Sequence, residues 1–191
     1  YYVKENMNKR QAKRGQFLIS EPSMEDLNFK RSVLLITEHN NNESIAFILN
    51  QPTKLSVNDL IDDFPNFNAK VHIGGPVEKN TLHFLHSLGN KIDQSIAVSD
   101  NLYWSGNFET LKTLIRNGEV KESEVKFFIG YSGWSSGQLE YELQENSWIV
   151  INSDSSIALN NNDKRMWRKF IKQMDKDLAI WHNMPDNPEL N

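Results

Sequence analysis

Cysteine is absent from this chain of 191 residues. Its absence excludes disulfides, thiolate catalysis, and zinc or iron–sulfur sites built on cysteine. The chain also lacks any run of about 18 apolar residues, so no membrane-spanning helix is predicted. The first residues contain no apolar segment followed by a small-residue cleavage site, so no secretory signal is predicted. We therefore expect a cytoplasmic protein without a membrane partner.

Charge is distributed unevenly along the chain, which has a formal net charge of −4. Residues 1–14 carry five basic residues against one acid, so we expect them to form a disordered basic tail. The rest is acidic and would repel phosphate backbones. Contact with nucleic acid would depend on this tail and on the basic side of the last predicted helix, and a solvated face is the alternative interpretation.

Apolar runs of strand length alternate irregularly with helical patterns. Strands are predicted at residues 15–19, 32–37, 45–49, 71–73, 81–87, 127–129 and 148–151, and the second and third form a hairpin. Helices are predicted at 108–117, with Asn107 as N-cap and Gly118 after its end, at 138–144, and at 164–179. The pattern favours a single α+β domain over residues 15–182 with a mixed sheet, followed by a C-terminal tail at 183–191.

The segment 125–140 is typical of a buried strand that passes through a glycine-rich loop into a helix. Backbone N–H groups at a helix N-terminus can bind an anion there without help from side chains. Tyr131 and Trp134 could stack on a base, although aromatic residues beside glycine also pack over bare backbone. Gly74 and Gly75 also have two interpretations: they are part of a binding site, or they form a tight turn between two strands.

The spacing of side chains in the sequence gives little support for a catalytic site or a metal site. Residues 133–137 match the G-x-S-x-G pattern of serine hydrolases around Ser135, and Asp154, Asp163 and His182 follow in the right order. Five residues separate Ile129 from Ser135, however, and a nucleophile elbow needs a sharper turn.

Histidines give an equally weak signal. His83 and His86 point to opposite faces of a predicted strand, and a site that combines Glu38, His39 and His86 would need a tertiary coincidence. We assign no catalytic residue, no metal ligand and no cofactor.

Several short motifs occur together in a fixed order. They are Leu49-Asn50-Gln51-Pro52, Gly74-Gly75-Pro76-Val77, Leu85-His86, Gly130-Tyr131, Gly133-Trp134 and Gly137-Gln138-Leu139. In this arrangement the chain resembles the YqgE/AlgH family of bacterial proteins over residues 15 to about 178. The resemblance implies a complex α+β fold whose branched sheet includes a small closed barrel and is surrounded by helices. Members are often labelled transcriptional regulators, and the resemblance implies no reaction.

We therefore expect a non-enzymatic binding or regulatory protein that contacts a protein or a small molecule. The candidate ligand-binding residues are Gly74, Gly75, Gly130, Tyr131, Gly133, Trp134, Gly137 and Gln138. The alternative hypotheses are an enzyme that uses the same surface, or a nucleotide- or anion-binding protein that uses the glycine-rich loops.

Overall fold

The computed structural model describes residues 11–161 and 163–174. Its strands are β1 (Phe17–Ser20), β2 (Val33–His39), β3 (Glu43–Ile48), β4 (Pro52–Ser56), β5 (Lys70–Ile73), β6 (Val77–His86), β7 (Ile96–Ser99), β8 (Leu102–Trp104), β9 (Val125–Ser135) and β10 (Trp148–Ile151). Its helices are α1 (Val57–Leu60), α2 (Phe108–Arg116), α3 (Gln138–Gln144) and α4 (Asp163–Gln173). The expected α+β class is confirmed.

The strands form one large branched sheet in the order β10-β1-β2-β3-β9-β6-β8-β7. Strand β5 leaves this path because it pairs in parallel with β9 and antiparallel with β4, whereas the other ladders are antiparallel. No ladder within the described residues joins β10 to β7, so the small closed barrel that the resemblance implied is not formed. The sheet branches instead, because β9 pairs with β5 before Gly130 and with β3 after it.

Apolar side chains gather in three clusters, and each of the longer helices supports one of them. Helix α4 buries Trp167, Phe170 and Ile171 against the first cluster. Helix α2 buries Leu111 and Ile115 in the second, and α3 contributes Leu139 to the third. Helices α2 and α4 therefore bury the apolar stripes that their amphipathic patterns predicted.

Local signals in the sequence predicted several elements well. The side chain of Asn107 accepts a hydrogen bond from the Thr110 N–H at 3.1 Å, and Gly118 follows α2 with a φ of 72°. The hairpin of β2 and β3 also forms as predicted. Strands β4, β7 and β8 were not predicted, because they are short and largely exposed or half-buried and so show no apolar run.

The predicted tails fall mostly on residues 1–10 and 175–191, which lie outside the described residues, as does the predicted end of the last helix. Contacts within the described part already begin before Gly15, since Ala12 is buried and the Arg14 guanidinium pairs with the Glu38 carboxylate. None of the helices in the described ranges has the length and apolar character needed to cross a membrane.

Candidate functional site

The glycine-rich segment is a strand for most of its length. β9 continues through Gly130 and Gly133 to Ser135, and only Ser136 and Gly137 separate it from α3. The predicted glycine-rich loop is therefore wrong. The ladder that β9 forms with β3, from Ala46↔Ser132 to Glu43↔Ser135, stabilises an extended backbone where the local composition favoured a loop.

Three of the predicted site glycines permit backbones to approach each other closely. A Cβ on Gly74 would lie 2.3 Å from the Gly130 carbonyl oxygen, and one on Gly75 would lie 2.2 Å from the Tyr131 carbonyl carbon. Gly130 has a φ of 67°, and a Cβ there would lie 2.6 Å from the Gly75 oxygen. These glycines let the link between β5 and β6 cross over β9. A ligand contact at them stays a prediction.

The remaining predicted site residues lie towards the far end of β9 and in α3. Trp134 is 4% exposed, and its indole N–H donates to Glu142 Oε2, which also accepts the indole N–H of Trp148, at 2.8 Å each. Gln138 Oε1 accepts the Ser135 N–H at 3.0 Å. The structure thus places Trp134, Gly137 and Gln138 around the turn into α3, a group separate from the crossing of Gly74 and Gly75 over β9.

Tyr131 and Gly133 connect these two groups. The Tyr131 ring packs edge-on against His83 at 5.8 Å between ring centroids, and a Cβ on Gly133 would lie 3.2 Å from that ring. Burial raises the pKa of the Tyr131 hydroxyl, with help from the charges of Glu78 and Glu43.

The hydrolase and histidine hypotheses receive no support from the geometry. Ser135 Oγ lies 3.3 Å from Gln138 Oε1, and no described base contacts it. His39 Nδ1 lies 2.7 Å from Ser44 Oγ, whereas His86 Nε2 lies 2.9 Å from the Ser105 carbonyl oxygen. Because the two histidines have separate partners, the structure does not join Glu38, His39 and His86 into one site.

A buried ionic cluster of His72, Lys126 and Asp163 lies under the first turn of α4. His72 Nε2 is 2.9 Å from Asp163 Oδ1, and Lys126 Nζ is 3.7 Å from the same oxygen. The ammonium of Lys126 also donates to the carbonyl oxygens of Leu49 and Asn160, at 2.7 and 2.9 Å. The cluster therefore ties β5 and β9 to the start of α4.

Burial changes the pKa values of Lys126 and His72 in this cluster. It lowers the pKa of Lys126 from 10.5 to about 8, and the nearby Asp163 carboxylate offsets only part of that effect. Burial also lowers the pKa of His72, against an opposing hydrogen bond to Asp163. Both groups were missed by the sequence analysis. The available signal was a basic residue inside each of two buried strands, at Lys126 and at His72.

A cavity of ≈ 80 Å³ lies beside this cluster, between α4 and the 3-10 turn at Ser155–Leu159. Its apolar wall is formed by Ile157, Met166 and Phe170. Its polar lining consists of Ser153, Asn160, Arg165, Lys169 and Gln173. No acidic residue lines the cavity among the described residues, and no described carboxylate pairs with Arg165 or Lys169.

Asn160 connects the cavity to the ionic cluster. The residue lines the cavity, and its carbonyl oxygen accepts the hydrogen bond from Lys126. Asp163 begins α4, the helix that carries Arg165 and Lys169 two and six positions later. The buried cluster therefore holds the cavity-lining helix in place. Within the described ranges, no group of three or more His, Asp or Glu side chains is placed to hold a metal ion.

Comparisons with known proteins agree with this fold. A sequence profile described as AlgH-like matches residues 17–179. A UPF0301 protein of Chlorobaculum parvum is 40% identical over 179 residues, which cover 94% of this chain and 96% of the relative. A UPF0301 protein of Cytophaga hutchinsonii is 40% identical over 179 residues, which cover 93% of this chain and 98% of the relative.

Solved structures show the same architecture. A crystal structure of a Corynebacterium diphtheriae protein superposes with a TM-score of 0.76 at 19% identity, covering 95% of this chain and 97% of the other. The solution structure of AlgH from Pseudomonas aeruginosa gives a TM-score of 0.71 at 24% identity, covering 93% and 99%. Because the profile and the full-length relatives agree, the chain belongs to the AlgH-like family that its motifs had suggested.

Proposed function

We propose that this chain is a non-enzymatic, regulatory binding protein of the bacterial cytoplasm that holds a small anion, a carboxylate or a phosphate, in the cavity beside α4. The observation that carries the proposal is the convergence of two cationic side chains, Arg165 and Lys169, on a cavity with no acidic lining. Neither cation is neutralised by a described carboxylate, so both are available to a carboxylate or phosphate.

The remaining lining fits a ligand with a small apolar body. Ser153 and Gln173 line the cavity and have no hydrogen-bond partner among the described residues. Ile157, Met166 and Phe170 supply the apolar wall. A cavity of ≈ 80 Å³ has room for a ligand of only a few heavy atoms, such as a short carboxylic acid or inorganic phosphate.

The same lining argues against catalysis. It contains no histidine, aspartate, glutamate or cysteine, so it lacks the side chains that most often act as general bases. We place the ligand here rather than at Gly74, Gly75 and β9 because those glycines already contact other backbone atoms. Binding of an anion would offset positive charge on the exposed side of α4, and this gives the protein a way to alter its contact with an acidic partner or with nucleic acid.

Calorimetric titration with acetate, lactate, pyruvate and inorganic phosphate tests the proposal. We expect at least one of these anions to bind, and Arg165→Ala and Lys169→Ala to weaken binding at least tenfold each. At about 100 times its dissociation constant, a ligand adds roughly 2.7 kcal/mol to the free energy of unfolding, so a thermal shift should accompany binding.

Lys172→Ala is the matched control, because Lys172 is exposed on the same helix but does not line the cavity. Equal weakening by Lys172→Ala would indicate a diffuse charge effect. That result, or the failure of all four anions to bind, would refute the proposal.

A further inference from the structure

A polar trough includes Asp163 at the start of α4 and shares no lining residue with the cavity. It consists of two hollows of ≈ 320 and ≈ 660 Å³ that meet at Asn161. Both hollows are open to solvent along the surface. The first hollow lies over β4 and β5, and the second extends towards the end of α2.

One wall of the trough presents a polar side chain at every second residue. Asn66, Asn68 and Lys70 are exposed, whereas Phe67 and Ala69 between them are 6% and 5% exposed and pack in the second core cluster. In an extended peptide, successive side chains point to opposite sides, so the groups on one side also recur at every second residue. The spacing of polar side chains on the wall therefore matches the spacing of groups along such a peptide.

The side-chain amides of Asn66, Asn68 and Asn161 in the trough have no hydrogen-bond partner among the described residues. The nearby Asn58 differs, because its side-chain amide forms hydrogen bonds with the backbone of Phe64, Pro65 and Phe67. A carboxamide both donates and accepts hydrogen bonds, and so does a peptide backbone. The three asparagines therefore match a polypeptide chain more fully than they match an anion, which only accepts.

Charge around the trough is balanced. Its lining carries three lysines, Lys54, Lys70 and Lys121, and three acids, Asp59, Glu122 and the largely buried Asp163. Nucleic acid binding draws most of its affinity from an excess of positive charge, and the trough does not provide one. The lining also includes apolar residues, with Leu55 41% exposed in the first hollow and Val120 half-buried in the second. Leu55 and Val120 suit apolar side chains that flank a hydrogen-bonded backbone.

We propose that the trough binds an extended peptide segment of a partner protein, with Asn68 and Asn161 holding the peptide backbone. The trough is separate from the anion cavity, so binding of a peptide in the trough does not require an anion in the cavity.

The test begins with the full chain immobilised and panned against a displayed library of random 12-residue peptides. Enriched peptides are then labelled and titrated by fluorescence anisotropy. We expect Asn68→Ala and Asn161→Ala each to weaken binding at least tenfold, because each removes hydrogen bonds to the peptide backbone. Asn90→Ala, at an exposed asparagine of the 3-10 turn Gly89–Lys91, is the control and should change affinity less than twofold.

Nuclear magnetic resonance gives a second readout that does not depend on affinity. Side-chain NH₂ signals of Asn66, Asn68 and Asn161 should shift when an enriched peptide is added, and that of Asn90 should not. No enrichment over the bare support, or equal affinity in all three variants, would overturn the proposal. A single-stranded 12-mer of DNA that displaced the peptide and lost affinity on Asn161→Ala would assign the trough to nucleic acid instead.

Discussion

Lys126 shows how burial sets the chemical state of a single residue. Its side chain is 1% exposed, and its ammonium donates to two backbone carbonyls near the Asp163 carboxylate. Removal of an ammonium from water disfavours its charged form, so the pKa falls to about 8. A neutral amine still carries two hydrogens and can keep both bonds to the carbonyls. Deprotonation therefore removes the free-energy cost of burying a charge, and the hydrogen bond from Lys126 to the Asn160 carbonyl oxygen is kept.

The stability of the protein should depend on the protonation of Lys126. The folded pKa of about 8 lies below the ordinary value of 10.5, so the unfolded chain binds more protons between these values, and stability rises with pH across this window. We expect a gain of about 2 kcal/mol between pH 7.5 and 9.5 relative to Lys126→Met. Urea unfolding of both proteins across that range measures it. Parallel curves for the two proteins would contradict the assignment.

At the scale of the element, the link between β5 and β6 depends on close backbone contact. The Gly74 N–H donates to the Ile129 carbonyl oxygen at 2.9 Å, and its own carbonyl accepts the Ile48 N–H at 2.8 Å. The Ser132 hydroxyl donates to the same carbonyl at 3.1 Å. This link therefore joins β3 to both halves of β9 at the point where the sheet branches.

Gly75→Ala should destabilise the protein strongly. Its Cβ would lie 2.2 Å from the Tyr131 carbonyl carbon and oxygen, so backbone has to move, and we expect a loss of about 3 kcal/mol or more. Gly133→Ala is the matched comparison, because its Cβ would lie 3.2 Å from a Tyr131 ring carbon and that side chain can shift. Thermal unfolding of both variants measures the difference. A smaller loss for Gly75→Ala than for Gly133→Ala would refute the packing explanation.

At the scale of the whole molecule, three histidines at separate places in the sheet are removed from water. Burial lowers the pKa of His72 on β5, and of His83 and His86 on β6. Each imidazole therefore binds a proton less readily in the folded state than in the unfolded chain. The three residues act in the same direction because their main cause, removal from water, is the same.

The protein should lose stability as the pH falls below about 6.5, the ordinary pKa of histidine. The unfolded chain takes up protons there that the folded chain excludes, so the stability present above pH 6.5 is lost on acidification. The midpoint of thermal unfolding measured from pH 7.5 to 5.0 should fall, and His83→Gln should make the decline shallower. A midpoint that stays constant or rises towards pH 5.0 would show that the buried histidines do not control acid stability.

The sequence by itself determined the family, the α+β class, the β2–β3 hairpin and the start of α2. These features depend on neighbours in the chain: a buried strand shows a short apolar run, and the Asn107 cap bonds a backbone N–H only three residues away. The amphipathic pattern of α4 is local in the same sense, so its buried stripe could be predicted.

Only the tertiary structure decided the course of β9 and the positions of both proposed sites. Strand β9 continues through its glycines because β3, about 90 residues earlier in the chain, completes its hydrogen bonds. His72 and Asp163 lie 91 positions apart, and Lys126 and Leu49 lie 77 apart. Contacts at such separations leave no periodic trace in the sequence, because burial and hydrogen bonding depend on which surfaces meet after the chain has folded.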